Sequence, residues 1–299
     1  MINPVNVNVR LTMKEKEKII NYKSARIFTR IFLPDNAPRA IIQIIHGLAE
    51  HSGRYKDFAE YMTKHGIAVY VHDHPGHGFT EENMINHGHL PWNDGWRHLL
   101  DTINHINAQI TNDYPAKPVF ILGHSMGSLL TRHYIQLFPT VFAGVILSGT
   151  SNPGVFNLAT NLWVIKSLAF FGKSSLKLKW LNQKFYNDFN KTIKQPLTGF
   201  DWLSRDQTQV NRYIADPMCG FDLSLGFFKN LLSGTISLKR AEKKLNFPKD
   251  LAVLIISGKA DPVGSHAIDP SQLYNQYRTR GCINVDLVLC EGQIGRAHV

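Results

Sequence analysis

The sequence predicts an α/β fold: a mostly parallel sheet with helices on both faces and a helical cap inserted after the sixth strand. Three observations carry this. Short apolar runs alternate with stretches whose apolar residues recur at helical spacing, the pattern of strands and helices in a covered parallel sheet. One such run, Pro118-Val119-Phe120-Ile121-Leu122, leads through Gly123-His124-Ser125-Met126-Gly127 straight into a helical stretch. Residues 151–245 then interrupt the alternation before it resumes. At 299 residues and 43% hydrophobic content, the chain is long and apolar enough for a sizeable core.

The elements follow in order. Residues 5–33 alternate enough for two opening antiparallel strands. Ile41-Ile42-Gln43-Ile44-Ile45 is a buried strand ending in His46-Gly47-Leu48. Tyr55, Phe58 and Met62 mark a helix, and Ile67–Val71 a strand feeding Asp73-His74-Pro75-Gly76-His77-Gly78. Trp96, Leu99, Leu100, Ile103, Ile106 and Ile110 form the apolar stripe of a longer helix ending near Pro115. After the strand before Gly123, a helix carries Leu129, Leu130, Tyr134, Ile135 and Phe138. Val145-Ile146-Leu147, Leu251–Ile256 and Asn284–Cys290 supply the remaining strands. Residues 1–150 and 246–293 thus form the core and 151–245 the cap, and the helix expected to close the sheet after the last strand is missing.

The pentapeptide places Ser125 on a strand-to-helix turn, between glycines that permit a tight bend. The helix starting after Ser125 aims free N–H groups at that point, which suits a developing negative charge. This makes Ser125 a candidate nucleophile, with Gly123, His124 and Gly127 shaping the turn. The strand ending in His46-Gly47 offers the matching feature. In acyl-transfer hydrolases, the N–H after such a dipeptide holds the oxyanion together with the N–H after the nucleophile, here Leu48 and Met126. Asp261 ends Gly258-Lys259-Ala260-Asp261 after a late strand, where an acid can orient a histidine. His72, His74 and His77 raise a metal reading, but Gly76 stands where a carboxylate ligand belongs and no second ligand set follows, so no metal is expected.

These motifs together resemble the monoacylglycerol lipase and lysophospholipase branch of the α/β-hydrolases, close to the serine aminopeptidase S33 type. The resemblance rests on His46-Gly47-Leu48-Ala49-Glu50-His51-Ser52-Gly53-Arg54-Tyr55, Asp73–Gly78, Gly123–Gly127 and Gly258–Asp261. Trp202-Leu203-Ser204-Arg205-Asp206 and Asp216-Pro217-Met218-Cys219-Gly220-Phe221 resemble bacterial members. It spans roughly Val9 to Gly292 and implies an α/β-hydrolase fold, a Ser125 nucleophile, an Asp261 acid, Leu48 and Met126 as oxyanion donors, a lipid ester substrate and no cofactor. Two alternatives stay open: a proline-iminopeptidase-like peptidase, and a non-catalytic lipid-binding relative.

The chain departs from that pattern in two places. Leu48-Ala49 replaces a smaller Ala/Gly pair and narrows the mouth of the site. The Arg-His-Glu that the family carries after its last strand is also missing, and the chain reads Gln293-Ile294-Gly295-Arg296-Ala297-His298-Val299 there. Residues 294–299 match one frame of a common sequencing adapter, so the expectation is a non-native scar on a truncated and weakly active chain. The competing expectation makes His298 the base.

Composition narrows the partners. The formal net charge is +10, and residues 151–245 hold 14 Lys/Arg against 6 Asp/Glu. Within them Leu162, Trp163, Val164, Ile165, Leu168, Phe170 and Phe171 interleave with Lys166, Lys173, Lys177 and Lys179. That mixture suits peripheral contact with an anionic membrane, and equally a solvated cap. No motif supports nucleic-acid binding. Three unpatterned cysteines (Cys219, Cys282, Cys290) and no secretion signal at Met1-Ile2-Asn3-Pro4-Val5-Asn6 point to a cytoplasmic protein. Oligomeric state is not legible.

Overall fold

The structure, a computed structural model, describes residues 13–23, 25–138, 142–170 and 172–295. Phe171, His298 and all but two residues of the 294–299 segment lie outside them. Eight strands form one sheet in the spatial order β1 (Lys14–Tyr22), β2 (Ala25–Leu33), β4 (Ile67–His72), β3 (Ala40–Ile45), β5 (Val119–His124), β6 (Gly144–Ser148), β7 (Ala252–Gly258), β8 (Val285–Cys290). β1 and β2 pair antiparallel, β2 joins β4 antiparallel, and the other six run parallel. The expected opening hairpin is present. Its outer strand alternates Lys and Glu, a charged edge that discourages pairing with other chains.

β3 shows why the central strands read as continuous apolar runs. Helices cover both faces, so each of its residues is buried. Ile42 and Ile44 pack with Ala59 of α1 (Lys56–Lys64), while Ile41 packs with Ile106 and Ile110 of α2 (Gly95–Asp113). Gln43 survives inside because its amide donates to the Ile103 carbonyl at 3.0 Å and accepts from Asn107 at 2.9 Å. The six-residue stripe read for α2 is buried throughout, each large side chain contributing roughly 1.5–3 kcal/mol relative to exposure.

The strand order fixes the site. From β3 the chain moves to one side to form β4, then crosses back to form β5 on the other side. Ligands of open α/β sheets bind at such a reversal, beyond the strands' C-terminal ends. Here that crevice lies between the loop after β3 and the turn from β5 into α3 (Met126–Leu137).

Between β6 and β7 come α4 (Val155–Phe170), α5 (Lys179–Asn190), α6 (Gln207–Ala215) and α7 (Leu225–Ala241). The last of these is not an outer layer, for it packs on α2 and α3 as well as α4. Gly234 makes that contact possible, since a Cβ there would lie 2.0 Å from the Trp96 ring. Beyond α7, Glu242 receives the fully buried Arg132 of α3 at 2.7 Å. Cys219, Cys282 and Cys290 are free thiols. Among the described residues no helix is long and apolar enough to cross a membrane.

Candidate active site

Ser125 itself carries the strain of the turn, at φ 51° and ψ −118°, a region non-glycine residues rarely enter. Its N–H donates to Ser148 O at 2.9 Å, and its carbonyl accepts from Ser128 N–H at 2.9 Å and Ser128 Oγ at 2.6 Å. The flanking glycines provide space rather than unusual dihedrals. A Cβ on Gly123 would lie 2.4 Å from Gly127 O, and one on Gly127 only 1.9 Å from Ile45 O. The glycines therefore let α3 start hard against β3, with the first N–H groups of α3, Met126 included, lacking intrahelical partners.

The loop after β3 is held by several groups. Gly47 N–H donates to Glu50 Oε1 at 2.6 Å, and that carboxylate also accepts from Tyr55 O–H at 2.8 Å and Arg54 Nε at 3.0 Å. Ala49 N–H donates to His77 Nε2 at 3.3 Å. Among the described contacts the intervening Leu48 N–H has no partner. One side of its peptide is held from the core, where His46 Nδ1 donates to the Gly47 carbonyl at 2.8 Å. In a trans peptide this aims the Leu48 N–H away from His46. A Cβ on Gly47 would stand 3.4 Å from Ser125 Cβ, so loop and turn touch.

The histidines after β4 support this loop. His46 Nε2 accepts from His74 N–H at 3.0 Å, and the His46 and His74 rings lie 4.0 Å apart, with His77 next to them. Burial pushes His46 and His72 well below the ordinary imidazole range, His74 to about 4 and His77 to about 3. The neutral rings of His46 and His77 thereby each serve as a one-donor, one-acceptor strut. Asp73 ties the two loops together, accepting from Ser52 N–H at 2.6 Å and Phe79 N–H at 2.8 Å.

His51, Asp216 and Cys219 form a cluster of a different kind, their ligand atoms within 4.8 Å of one another. His51 Nε2 donates to Asp216 at 2.8 Å while Nδ1 accepts from Gly53 N–H at 3.2 Å, which links core to cap. Both ring nitrogens are thus engaged, and the Arg54 guanidinium beside Cys219 opposes a second cation.

Asp261 is 1% exposed at the exit of β7. Oδ1 accepts from Val263 N–H at 2.9 Å, and Oδ2 has no partner among the described residues. Burial raises its pKa from 3.8 to about 7. Asp261, Ser125 and His124 line one narrow cleft with Gly149, Trp202 and Gly295. All seven residues singled out by sequence therefore meet at one end of the sheet. Glu50 and Tyr213 complete the site, and no spacing rule marked either as part of it.

Above Ser125 opens a cavity of about 900 Å³. Gly47, Leu48, Ser125 and Met126 form its floor, and cap residues Leu158, Phe185, Phe189, Leu231 and Leu232 give it apolar walls. Ser151, Asn152 and Lys239 lie at a polar end, where Lys239 Nζ donates to Asn152 Oδ1 at 2.6 Å.

Comparison with known proteins places this arrangement. The profile of the family described as serine aminopeptidase, S33 matches residues 36–285. A monoglyceride lipase of Rattus norvegicus is 30% identical over 248 residues, covering 81% of this chain and 72% of its own. A monoacylglycerol lipase of Mycolicibacterium smegmatis is 33% identical over 240 residues, covering 79% and 75%. The crystal structure of a thermostable carboxyl esterase from Bacillus coagulans, in complex with glycerol, superposes with a TM-score of 0.83 at 27% identity, covering 95% of this chain and 91% of that one. The chain is an α/β-hydrolase and belongs to the serine aminopeptidase S33 family, on the side of its monoglyceride-lipase-like members.

Proposed function

We propose that the protein is a serine hydrolase of lipid esters, acting on monoacylglycerols or lysophospholipids through an acyl-enzyme on Ser125. The observation that carries the reading is the strained serine opening onto an apolar cavity large enough for an acyl chain; the lipase relatives support it. Ser125 Oγ attacks the ester carbonyl and gives its proton to a base. Leu48 and Met126 N–H hold the oxyanion, and the protonated base releases the alcohol. Water, deprotonated by the same base, then attacks the acyl-enzyme and frees the fatty acid and Ser125.

The base this reading requires is an imidazole reaching the cleft shared by Ser125 and Asp261. The partnerless Asp261 Oδ2 is the acceptor that would orient its N–H. His298→Ala in the 299-residue chain tests whether that residue supplies it. Loss of turnover assigns it to His298, and unchanged turnover places it elsewhere.

A peptidase would need a free acid to hold a substrate amine. The acids lining this cavity are engaged: Glu50 with Arg54, Asp188 with Lys184 and Lys191, and Asp269 with Asn152 N–H. Turnover of long-chain monoacylglycerols and lysophospholipids against N-terminal proline amides, for wild type and Ser125→Ala, decides the matter. Lipid ester hydrolysis lost in Ser125→Ala supports the reading; proline amides as the only substrates overturn it.

The cap also offers a surface for lipid. Phe156, Trp163 and Phe170 of α4 recur every seven residues and are 78%, 71% and 85% exposed, while Leu158 and Ile165 on the opposite face are buried. We propose that this stripe rests on the membrane holding the substrate, with exposed Lys173 and Lys179 following it in the chain. Lys177 has another use, since its Nζ donates to Ile85 O at 2.8 Å and to the His87 carbonyl.

A further inference from the structure

Two hydrogen bonds tie the cap to the loop after β3 at one backbone carbonyl. Tyr213 of α6 donates its O–H to Ala49 O at 2.8 Å. Gly220 N–H is shared between that carbonyl at 3.0 Å and the Tyr213 oxygen at 3.1 Å. Ala49 is fully buried at φ 50°, left-handed backbone in a residue with a Cβ. Such a conformation persists only where the surroundings over-determine it. The core secures one side of Ala49 through His77, and the cap secures the other.

We propose that Tyr213 is a positioning residue through which seating of the cap aims the Leu48 N–H, so that the oxyanion hole is complete only beneath a closed cap. This rests on the reading of Leu48 as an oxyanion donor. With the cap seated, both polar groups of Ala49 are satisfied in the left-handed state. When the cap lifts to admit a lipid, the carbonyl loses both partners together. Ala49 then relaxes toward ordinary backbone angles and turns the adjoining Leu48 peptide off line. Hydrolysis is thereby confined to a substrate already covered. The Arg54 guanidinium lies 4.8 Å from the Tyr213 ring centre and steadies it, and burial keeps the phenol protonated and able to donate.

Tyr213→Phe keeps the ring and removes only the hydroxyl, which donates to Ala49 O and accepts from Gly220 N–H. Working sites are counted by burst titration with a p-nitrophenyl ester, so that turnover is expressed per folded site. Removing an oxyanion donor outright costs about 10²–10³ in kcat; a misaimed donor should cost about tenfold, with KM within twofold. Affinity for a trifluoromethyl ketone, whose hemiketal oxyanion occupies the hole, should fall in step with kcat/KM. Affinity for a non-hydrolysable ether analogue should not move. Unchanged kcat and ketone affinity overturn the proposal, as does an equal fall for ketone and ether, which makes Tyr213 a substrate contact. Ser125→Ala in the same assays separates the two readings. If it still turns over ester, the proposed function itself fails; if it is inactive while Tyr213→Phe is normal, only the coupling fails.

Discussion

The two sides of the proposed oxyanion site are built by opposite means. On the Ser125 side, the strained residue, the space beside it and the Met126 N–H all come from residues 123–128 and the strand alongside. A donor at a helix start accompanies the fold itself, because the first N–H groups of any helix are unpaired. On the Leu48 side, the donor sits in a loop with no such guarantee. It is held by His46, His77, Glu50 and Tyr213, the last lying 164 positions from its partner Ala49. The first side therefore depends on backbone space, the second on a network of buried polar partners, and substitutions should separate them.

The largest effect is expected from Gly127→Ala, which forces a Cβ to 1.9 Å from Ile45 O. Expression and circular dichroism should show a protein that no longer folds, because backbone on both sides must shift. Next is Asp261→Asn, which should lower kcat by about 10⁴ yet stabilise the fold at pH 8. Asp261 titrates near 7 when folded against 3.8 ordinarily. A raised acid pKa means the folded state holds the proton more tightly. Its stabilising contribution is complete below about pH 4 and is lost as the pH rises to about 7. Thermal melts should show a gain on the order of 2–4 kcal/mol at pH 8 and none at pH 4; a lower Tm for the variant at pH 8 would contradict a burial cost that outweighs the carboxylate's backbone hydrogen bonds.

Glu50→Gln attacks the loop side alone. It leaves the buried Arg54 without its charge partner, which costs about 3–5 kcal/mol, and it loosens Gly47. Turnover per site should fall roughly tenfold by analogy with a misaimed donor, while the Ser125 burst persists. If both fall equally, the two sides are not independent. Acid should also act on the loop side first. Its histidines titrate lower in the folded chain than when unfolded, so their contribution is present above about pH 6.5 and is lost as the pH falls toward about 4. In the Asp261→Asn background, which removes the opposing carboxyl titration, a Tm that stays level from pH 7 to 4 would refute this.

The smallest effect on catalysis is expected from the cap stripe. Phe156, Trp163 and Phe170 all changed to Ser should weaken vesicle binding several-fold and leave soluble-ester turnover intact. Lys173→Gln with Lys179→Gln should remove only the salt-sensitive part, about 1 kcal/mol per charge. Equal binding of the triple variant and wild type to vesicles would remove the membrane contact.

Much of this was legible in the chain. Strand runs, helix stripes and the strand–turn–helix around Ser125 are local patterns, set by burial period and by residues a few positions apart. They were enough to place the parallel sheet, the inserted cap, and the seven residues that gather at one end of it. What the sequence left open depends on contacts between distant segments. Glu50 was read as part of a motif without a task, because its partners Gly47, Arg54 and Tyr55 only become a capped loop once folded. His74 and His77 carried a metal alternative, and the contacts they make in the fold, His74 Nε2 with the His46 carbonyl and His77 Nε2 with the Ala49 N–H, have no sequence signal. Lys177 looked like one more surface charge and proved to be engaged by carbonyls of the core. The strain at Ala49 and its bond to Tyr213 have no sequence signal at all. A backbone dihedral held open by a side chain 164 positions away is decided by packing, whereas a helix start beside a strand end is decided by the local chain.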